Sequence, residues 1–209
     1  MRKSLISFAA LALFSANLMA QEDSDYTQYY NPNGWSYNIA LSHVGLDSDT
    51  AGSQGIEDTA IAIGFGFNYR ESSWVTSIDA DFILYDDNNE FSEVVVGDGL
   101  FNNGDISTES SEASALALSV ATGYEWRFGQ DDRASAILQG GFSGVFASER
   151  SIANCSNCGS QDIDIDGGAF IGGKLAFNQE SFSVGLNVRQ YVSGDGLSSM
   201  VGIVFDTQF

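Results

Sequence analysis

The chain reads as an all-β protein, an eight-stranded antiparallel up-and-down transmembrane β-barrel. Three observations predict it. Large apolar residues alternate with small or polar ones almost without a break after Asn33; the connections alternate between tight turns and long acidic loops; and aromatic residues gather at one level of the meander. Alternation with period two is the mark of strands whose two faces differ chemically. No convincing amphipathic helix interrupts it.

The first twenty residues stand apart from this pattern. Arg2 and Lys3 precede an apolar run from Leu5 to Phe14, broken only by Ser7, and the stretch from Ser15 to Ala20 brings a small residue to a cleavage point. This is the pattern of a secretory signal peptide over residues 1–20, cut after Ala20. Its removal takes away two bases and no acid, so the net charge moves from −20 to −22. Residues 21–33, with Tyr26, Tyr29 and Tyr30, form a short lead into a barrel domain over 34–209.

The strands follow in order. Trp35, Tyr37, Ile39 and Leu41 alternate with Ser36, Asn38, Ala40 and Ser42. Ile61, Ile63, Phe65, Phe67 and Tyr69 alternate with Ala62, Gly64, Gly66 and Asn68, and Trp74, Ile78, Phe82 and Leu84 with Ser77, Asp79 and Asp81. The fourth strand sets Leu116, Leu118, Val120, Tyr124, Trp126 and Phe128 against Ala117, Ser119, Gly123, Glu125 and Arg127. Leu138, Phe142 and Phe146 mark the fifth, and Ile163, Ile165, Ile171, Leu175 and Phe177 the sixth. Phe182, Val184, Leu186 and Val188 mark the seventh, and Val201, Ile203, Phe205 and Phe209 the last. Glu71 to Ser73, Gly129 to Asp132 and Asn178 to Ser181 are tight polar turns. Longer connections run roughly over Leu46 to Asp58, Asp86 to Glu112 and Ser148 to Asp162, with a shorter one from Ser193 to Gly196.

The composition decides which face looks inward. At 44% hydrophobic and 12% aromatic the chain can fold around buried apolar surface, and its acidity argues against a nucleic-acid partner. A soluble barrel with large residues inside would need a charged exterior, but the second face is built from Gly, Ala, Ser and Asn with few charges. Inverting the barrel resolves this: apolar residues meet lipid, and small and polar ones fill a narrow lumen. Closure removes strand edges that hydrocarbon cannot hydrate. The aromatics point the same way. Trp35, Trp74 and Trp126 fall at one end, with Tyr69, Phe128, Phe177, Phe182 and Phe209 at the same level. Such a ring suits a membrane–water interface.

The chain ends on Gly202-Ile203-Val204-Phe205-Asp206-Thr207-Gln208-Phe209, alternating apolar residues closed by a terminal Phe. In this ending and in its whole architecture the chain resembles the small outer-membrane β-barrels of Gram-negative bacteria. These include the OmpA transmembrane domain, the OmpX/Ail type, OmpW and the opacity-type porin-like proteins. Thr207 departs from the ending, where an aromatic or apolar residue is more usual. The resemblance implies residence in the outer membrane among its lipids and lipopolysaccharide, and insertion by the barrel assembly machinery. It also implies short turns and a periplasmic segment 21–33 on one side, with long loops at the cell surface.

Parity gives the charges a place. Asp79, Asp81, Glu125, Arg127, Arg133, Lys174, Arg189 and Asp206 fall on the lumen side, as do Arg70, Asp164 and Asp166. Unpaired buried charge is very costly, so these should form a neutralising network. It reads as a salt-bridged plug or as the lining of a selective pore or proton relay. The acids Asp47, Asp49 and Glu57 lie in the first long loop. The second holds Asp86, Asp87, Glu90, Glu93, Asp98, Asp105, Glu109 and Glu112. They make a solvated surface, or one that takes divalent cations or a cationic partner, though no spacing matches a calcium loop.

Cys155 and Cys158 form a C-x-x-C in the third long loop. A redox pair or half a zinc site is conceivable from the spacing, but zinc needs more ligands, and an exported chain meets an oxidising compartment. A structural disulfide pinning the loop is the expectation. His43 is the sole histidine. Alternation sends it and the adjacent Ser42 to opposite faces, so no His–Ser pair supports nucleophilic catalysis. The expected function is therefore non-enzymatic, without cofactor or metal: a barrel that presents acidic loops for envelope structure, adhesion or partner binding. The alternatives are a narrow OmpW-like channel for small or apolar solutes and, third, a lipid A-modifying enzyme.

Overall fold

The computed structural model describes residues 33–96, 106–152, 158–179 and 182–208. The signal peptide, nearly all of the N-terminal segment, Cys155, Phe209, Asp98 and Asp105 lie outside the described residues. Eight strands make the barrel: β1 (Gly34–Leu46), β2 (Ile56–Glu71), β3 (Trp74–Asp87), β6 (Glu112–Phe128), β7 (Ala134–Ser151), β9 (Gly168–Asn178), β10 (Phe182–Tyr191) and β11 (Leu197–Gln208). Each pairs antiparallel with its neighbour in sequence, and β11 returns to pair with β1 along almost its full length, so the sheet has no open edge. Between the barrel strands lie three short extra strands, β4 (Ser92–Val96) and β5 (Ile106–Ser110), which pair with each other, and β8 (Ser160–Asp162), which pairs with the end of β7.

Alternation sorts the side chains as the inverted barrel requires. On β2, Ile61, Ile63, Phe65, Phe67 and Tyr69 face out and are exposed, while Ala62, Gly64, Gly66, Asn68 and Arg70 are buried. The same division holds round the ring, giving an unbroken apolar belt that includes Leu41, Ile78, Val120, Leu138, Ile171, Val184 and Ile203. Monomers in water rarely expose apolar patches beyond a few hundred Å². This belt encircles the molecule, and hydrocarbon is the solvent that suits it. At the short-turn end Trp35 lies 5.1 Å from Tyr69, Trp74 5.7 Å from Tyr124, and Tyr124 5.0 Å from Trp126, centroid to centroid. Phe128 and Phe182 are exposed at that level too, and Phe177 is half-buried there.

The structure corrects four details of the sequence reading. A short helix, α1 (Ser48–Gln54), stands in the first long loop, capped by Asp47, whose carboxylate accepts from the Thr50 N–H at 3.0 Å. The helix ends at Gly55 with φ 72°, where an added Cβ would strike the Asn89 side chain, so only glycine fits there. Secondly, the sixth barrel strand begins at Gly168 and not at Ile163, because residues 163–167 leave the ladder. Thirdly, Ile163 and Ile165 turn into the barrel mouth and become buried, so Asp164 and Asp166 are exposed and not in the lumen. Finally, Arg133 is exposed: Gly129 and the single 3-10 turn Gln130–Asp132 carry the chain outside the ladder until Ala134, and parity does not extend across that turn.

Candidate functional site

The lumen is filled in two storeys. The lower one, toward the short turns, is polar and charged. Arg189 on β10 donates from Nη2 to Asp79 Oδ2 at 2.7 Å and from Nη1 to Asp81 Oδ2 at 3.3 Å and to Ser119 Oγ at 3.1 Å. Asn38 holds the other Asp79 oxygen at 3.1 Å. Nearer the turns, Asp206 on β11 accepts from Lys174 Nζ, from Asn68 Nδ2 at 2.7 Å and from Ser183 Oγ at 3.3 Å. Arg70 lies 3.9 Å from both Asp206 and Glu125 and donates to Ser36 at 2.8 Å. Arg127 closes the series on Glu125 at 2.6 Å. Of the eleven charges assigned to the lumen from parity, eight lie together here; Arg133, Asp164 and Asp166 are the exceptions.

Small residues make room for these carboxylates. Gly64 stands opposite Asp81 in the β2–β3 register, and Gly66 opposite Asp79. A Cβ on Gly66 would come within 2.0 Å of Asp79 Oδ1, and one on Gly64 within 2.4 Å of Asp81 Oδ1. Between the Arg189 and Lys174 clusters remains a cavity of about 30 Å³, lined by Asn38, Gln139, Asn187 and Met200 among others. That is room for a water or two and no more. Asn187 Oδ1 and Arg189 Nε, which have no protein partner, belong to residues that line it.

The upper storey is apolar. Val44, Ala60, Ala62, Ile83, Tyr85, Ala115, Phe170, Tyr191 and Met200 form one buried cluster with Ala51, Ile163 and Ile165 of the loops and Leu197 at the start of β11. Phe170 joins the storeys, its ring 5.1 Å from the Arg189 guanidinium carbon. The alternation sets Ala62 on the inner face but does not place Val44, Ile83, Tyr85, Phe170 or Tyr191 inside. The signal was present in short runs apolar on both parities, such as Phe82-Ile83-Leu84-Tyr85 and Phe170-Ile171.

Above this cluster the loops are bound to each other. The Leu197 N–H donates to Asp166 O at 3.0 Å, the Asp47 N–H to Gly196 O at 2.8 Å and the Asp164 N–H to Gln54 Oε1 at 3.0 Å. At the centre is Arg150, fully buried. It grips Asp87 with two bonds of 2.5 and 2.7 Å, Gln161 Oε1 at 2.8 Å and Gln54 O at 3.1 Å. Asp87 lies beyond the apolar belt. Burial alone would raise its pKa, but the Arg150 hydrogen bonds and the Asn89 N–H outweigh it and hold the carboxyl below the usual range. Asp47 is likewise held low by the N–H and hydroxyl of Thr50. Cys158 is disulfide-bonded. His43 faces outward, its Nδ1 3.3 Å from Ala60 O, while Ser42 faces the lumen.

A closed barrel with an apolar outer belt, an aromatic ring and a filled interior defines the class: a transmembrane eight-stranded β-barrel. The fold is similar to that of Neisserial surface protein A, with a TM-score of 0.54 at 7% identity, over 85% of this chain and 98% of that one. Ail, the attachment invasion locus protein of Yersinia pestis, crystallised with the heparin analogue sucrose octasulfate, gives 0.49 at 13% identity over 85% and 99%. The outer membrane protein OprG of Pseudomonas aeruginosa gives 0.37 at 13% identity over 87% and 98%. Of these the first is close enough to speak for the fold, and it bears out the closed eight-stranded barrel expected from the sequence. No protein-family model matches the chain, and no curated protein matches it by sequence.

Proposed function

We propose that this chain is a non-enzymatic outer-membrane barrel whose lumen is closed and whose work is done by its acidic long loops, in envelope structure, adhesion or partner binding. The observation that carries this reading is the fill of the lumen. Paired charges below and an apolar cluster above leave about 30 Å³ of free space between them. Eight strands give an interior only wide enough for side chains. The sequence adds a secretory start and an ending of the kind barrel assembly machinery receives. In this reading the belt sits among outer-membrane lipids and lipopolysaccharide, and the loops face the medium, where divalent cations or a cationic partner would meet them. The opposed faces of Ser42 and His43 favour a binding role over a lipid-modifying one.

Planar-bilayer recording tests it. The purified protein should give no defined openings, and steady unitary conductance would put a narrow channel for small or apolar solutes in its place. On a gel, unboiled protein should migrate differently from boiled protein; identical migration would remove the barrel itself. Lipid A mass profiles should be the same with and without the protein.

A further inference from the structure

The second long connection carries a small sheet of its own. β4 and β5 pair with each other and, among the described residues, with no other strand. Their register sets Glu93 opposite Glu109 and Val94 opposite Thr108. The pleat therefore puts the two acids on one side of the hairpin, and Val94, Thr108 and Ile106 on the other. Val94 and Ile106 are 70% and 74% exposed, more than any large apolar residue of the lipid-facing belt. They are cut off from that belt by Asp86 and Glu112, exposed at the tops of β3 and β6.

Two features of this hairpin are left unsatisfied among the described residues. Like charges directly opposite on a strand pair repel, and the sequence has no Lys, Arg or His between Arg70 and Arg127 to neutralise Glu93 and Glu109. Among the described residues no strand pairs with the outer edges of the hairpin, and an edge strand presents backbone N–H and C=O groups to which another strand can pair.

We propose that an exposed edge of the β4–β5 hairpin accepts an extended segment of a partner protein in which basic and apolar residues alternate. This rests on the surface-binding reading above and names the chemistry of the partner. An added strand pairs through its backbone and sends successive side chains to opposite faces. One set then lies on the face that carries Glu93 and Glu109, and the other on the face that carries Val94 and Ile106. A segment of the same composition with its basic residues in one block satisfies only one face at a time.

The test uses the full chain in nanodiscs of zwitterionic phosphatidylcholine, which does not itself attract cations. The probes are a short peptide alternating Val and Lys, its block isomer, and the alternating peptide N-methylated at every second residue. The alternating peptide should bind about tenfold more tightly than either control. The double variant Glu93→Gln with Glu109→Gln should abolish most of the salt dependence, and Ile106→Thr should weaken binding about tenfold with the salt dependence kept. Equal binding of the block isomer would mean charge attraction alone, and equal binding of the N-methylated peptide would mean no strand pairing. Binding to empty discs would mean a lipid surface. Each of these overturns the proposal. Heat-modifiable migration is scored on every sample. If it is present and the peptide does not bind, this inference alone fails. If it is absent, the barrel reading fails and takes this one with it.

Discussion

The two storeys of the lumen are closed by opposite means on one continuous wall. Below, Arg189, Lys174, Arg70 and Arg127 are matched against Asp79, Asp81, Asp206 and Glu125, with Asn38, Asn68, Ser36, Ser119 and Ser183 supplying further hydrogen bonds. Above, Val44, Ile83, Phe170, Met200 and Leu197 simply pack, and the loops supply Ala51, Ile163 and Ile165 to complete the cluster. Taking charges out of water costs several kcal/mol per ion, so the lower storey holds only while every partner is present. The upper storey loses stability in proportion to the volume removed. The lower storey therefore fixes which strands may stand beside which, since a slip of register would strand a charge. The upper storey couples the loops to the wall.

The largest effect should come from unmatching the lower storey. Arg189→Leu leaves Asp79 and Asp81 buried without their cation and should cost about 4 kcal/mol, read from urea unfolding in detergent by loss of the compact gel band. Restoring neutrality with Asp79→Asn and Asp81→Asn in the same chain should recover most of the loss. If the single and the triple variants are equally unstable, the pairing is not what stabilises this storey. In the upper storey, Ile83→Ala should cost about 3 kcal/mol as a cavity, and no second substitution of charge should rescue it.

The same contrast explains what was legible in the sequence. The outer face was readable along the barrel strands, where the belt from Trp35 to Phe205 keeps one period; Ile163 and Ile165, expected on it, turn inward. Parity also brought Arg189 to the side of Asp79 and Asp81, and Lys174 to that of Asp206, since these strands run without interruption between them. It failed where the ladder is broken. On β7 the pairing skips a residue: Leu116 faces Ala147 and Ala117 faces Val145, so Phe146 is extra. Such a bulge reverses every later side chain. Arg150, on the lipid parity of the lower strand, thereby turns inward to become the centre of the loop clamp. Asp164 and Asp166 lost their expected places in a similar way when residues 163–167 left the ladder. The upper storey was hidden for another reason: with large residues on both parities, alternation carries no contrast.

A subtler change sharpens the comparison from the side of space. Gly66→Ala adds one methyl at a point 2.0 Å from Asp79 Oδ1 and 2.8 Å from Asn38 Nδ2. The carboxylate cannot simply swing away, because Arg189 and Asn38 both hold it. The cost should be about 2 kcal/mol as overpacking. Gly140→Ala, whose Cβ would meet nothing closer than Phe170 O at 3.8 Å, should cost less in the same unfolding measurement.

The smallest effect tests whether loops and wall can be separated by pH. Asp87 is held by Arg150 below the ordinary carboxylate range, so its folded pKa lies below its unfolded one. Its contribution is then fully present above the unfolded value and is lost as pH falls through that value toward the lowered folded one. Asp47 at the N-cap of α1 acts in the same sense. Acidification through and below the usual carboxylate range should therefore loosen the loop cap first, seen as faster protease cleavage of the loops while the barrel band on the gel persists. Asp87→Asn, which keeps an oxygen acceptor for the buried Arg150 but removes its counter-charge, should cost about 1.5 kcal/mol and should flatten that pH dependence. The Arg150 clamp would then be weakened at neutral pH as the wild-type clamp is in acid. If loops and barrel instead open together at every pH, the cap and the wall are one cooperative unit, and the apolar storey binds them more tightly than the clamp does.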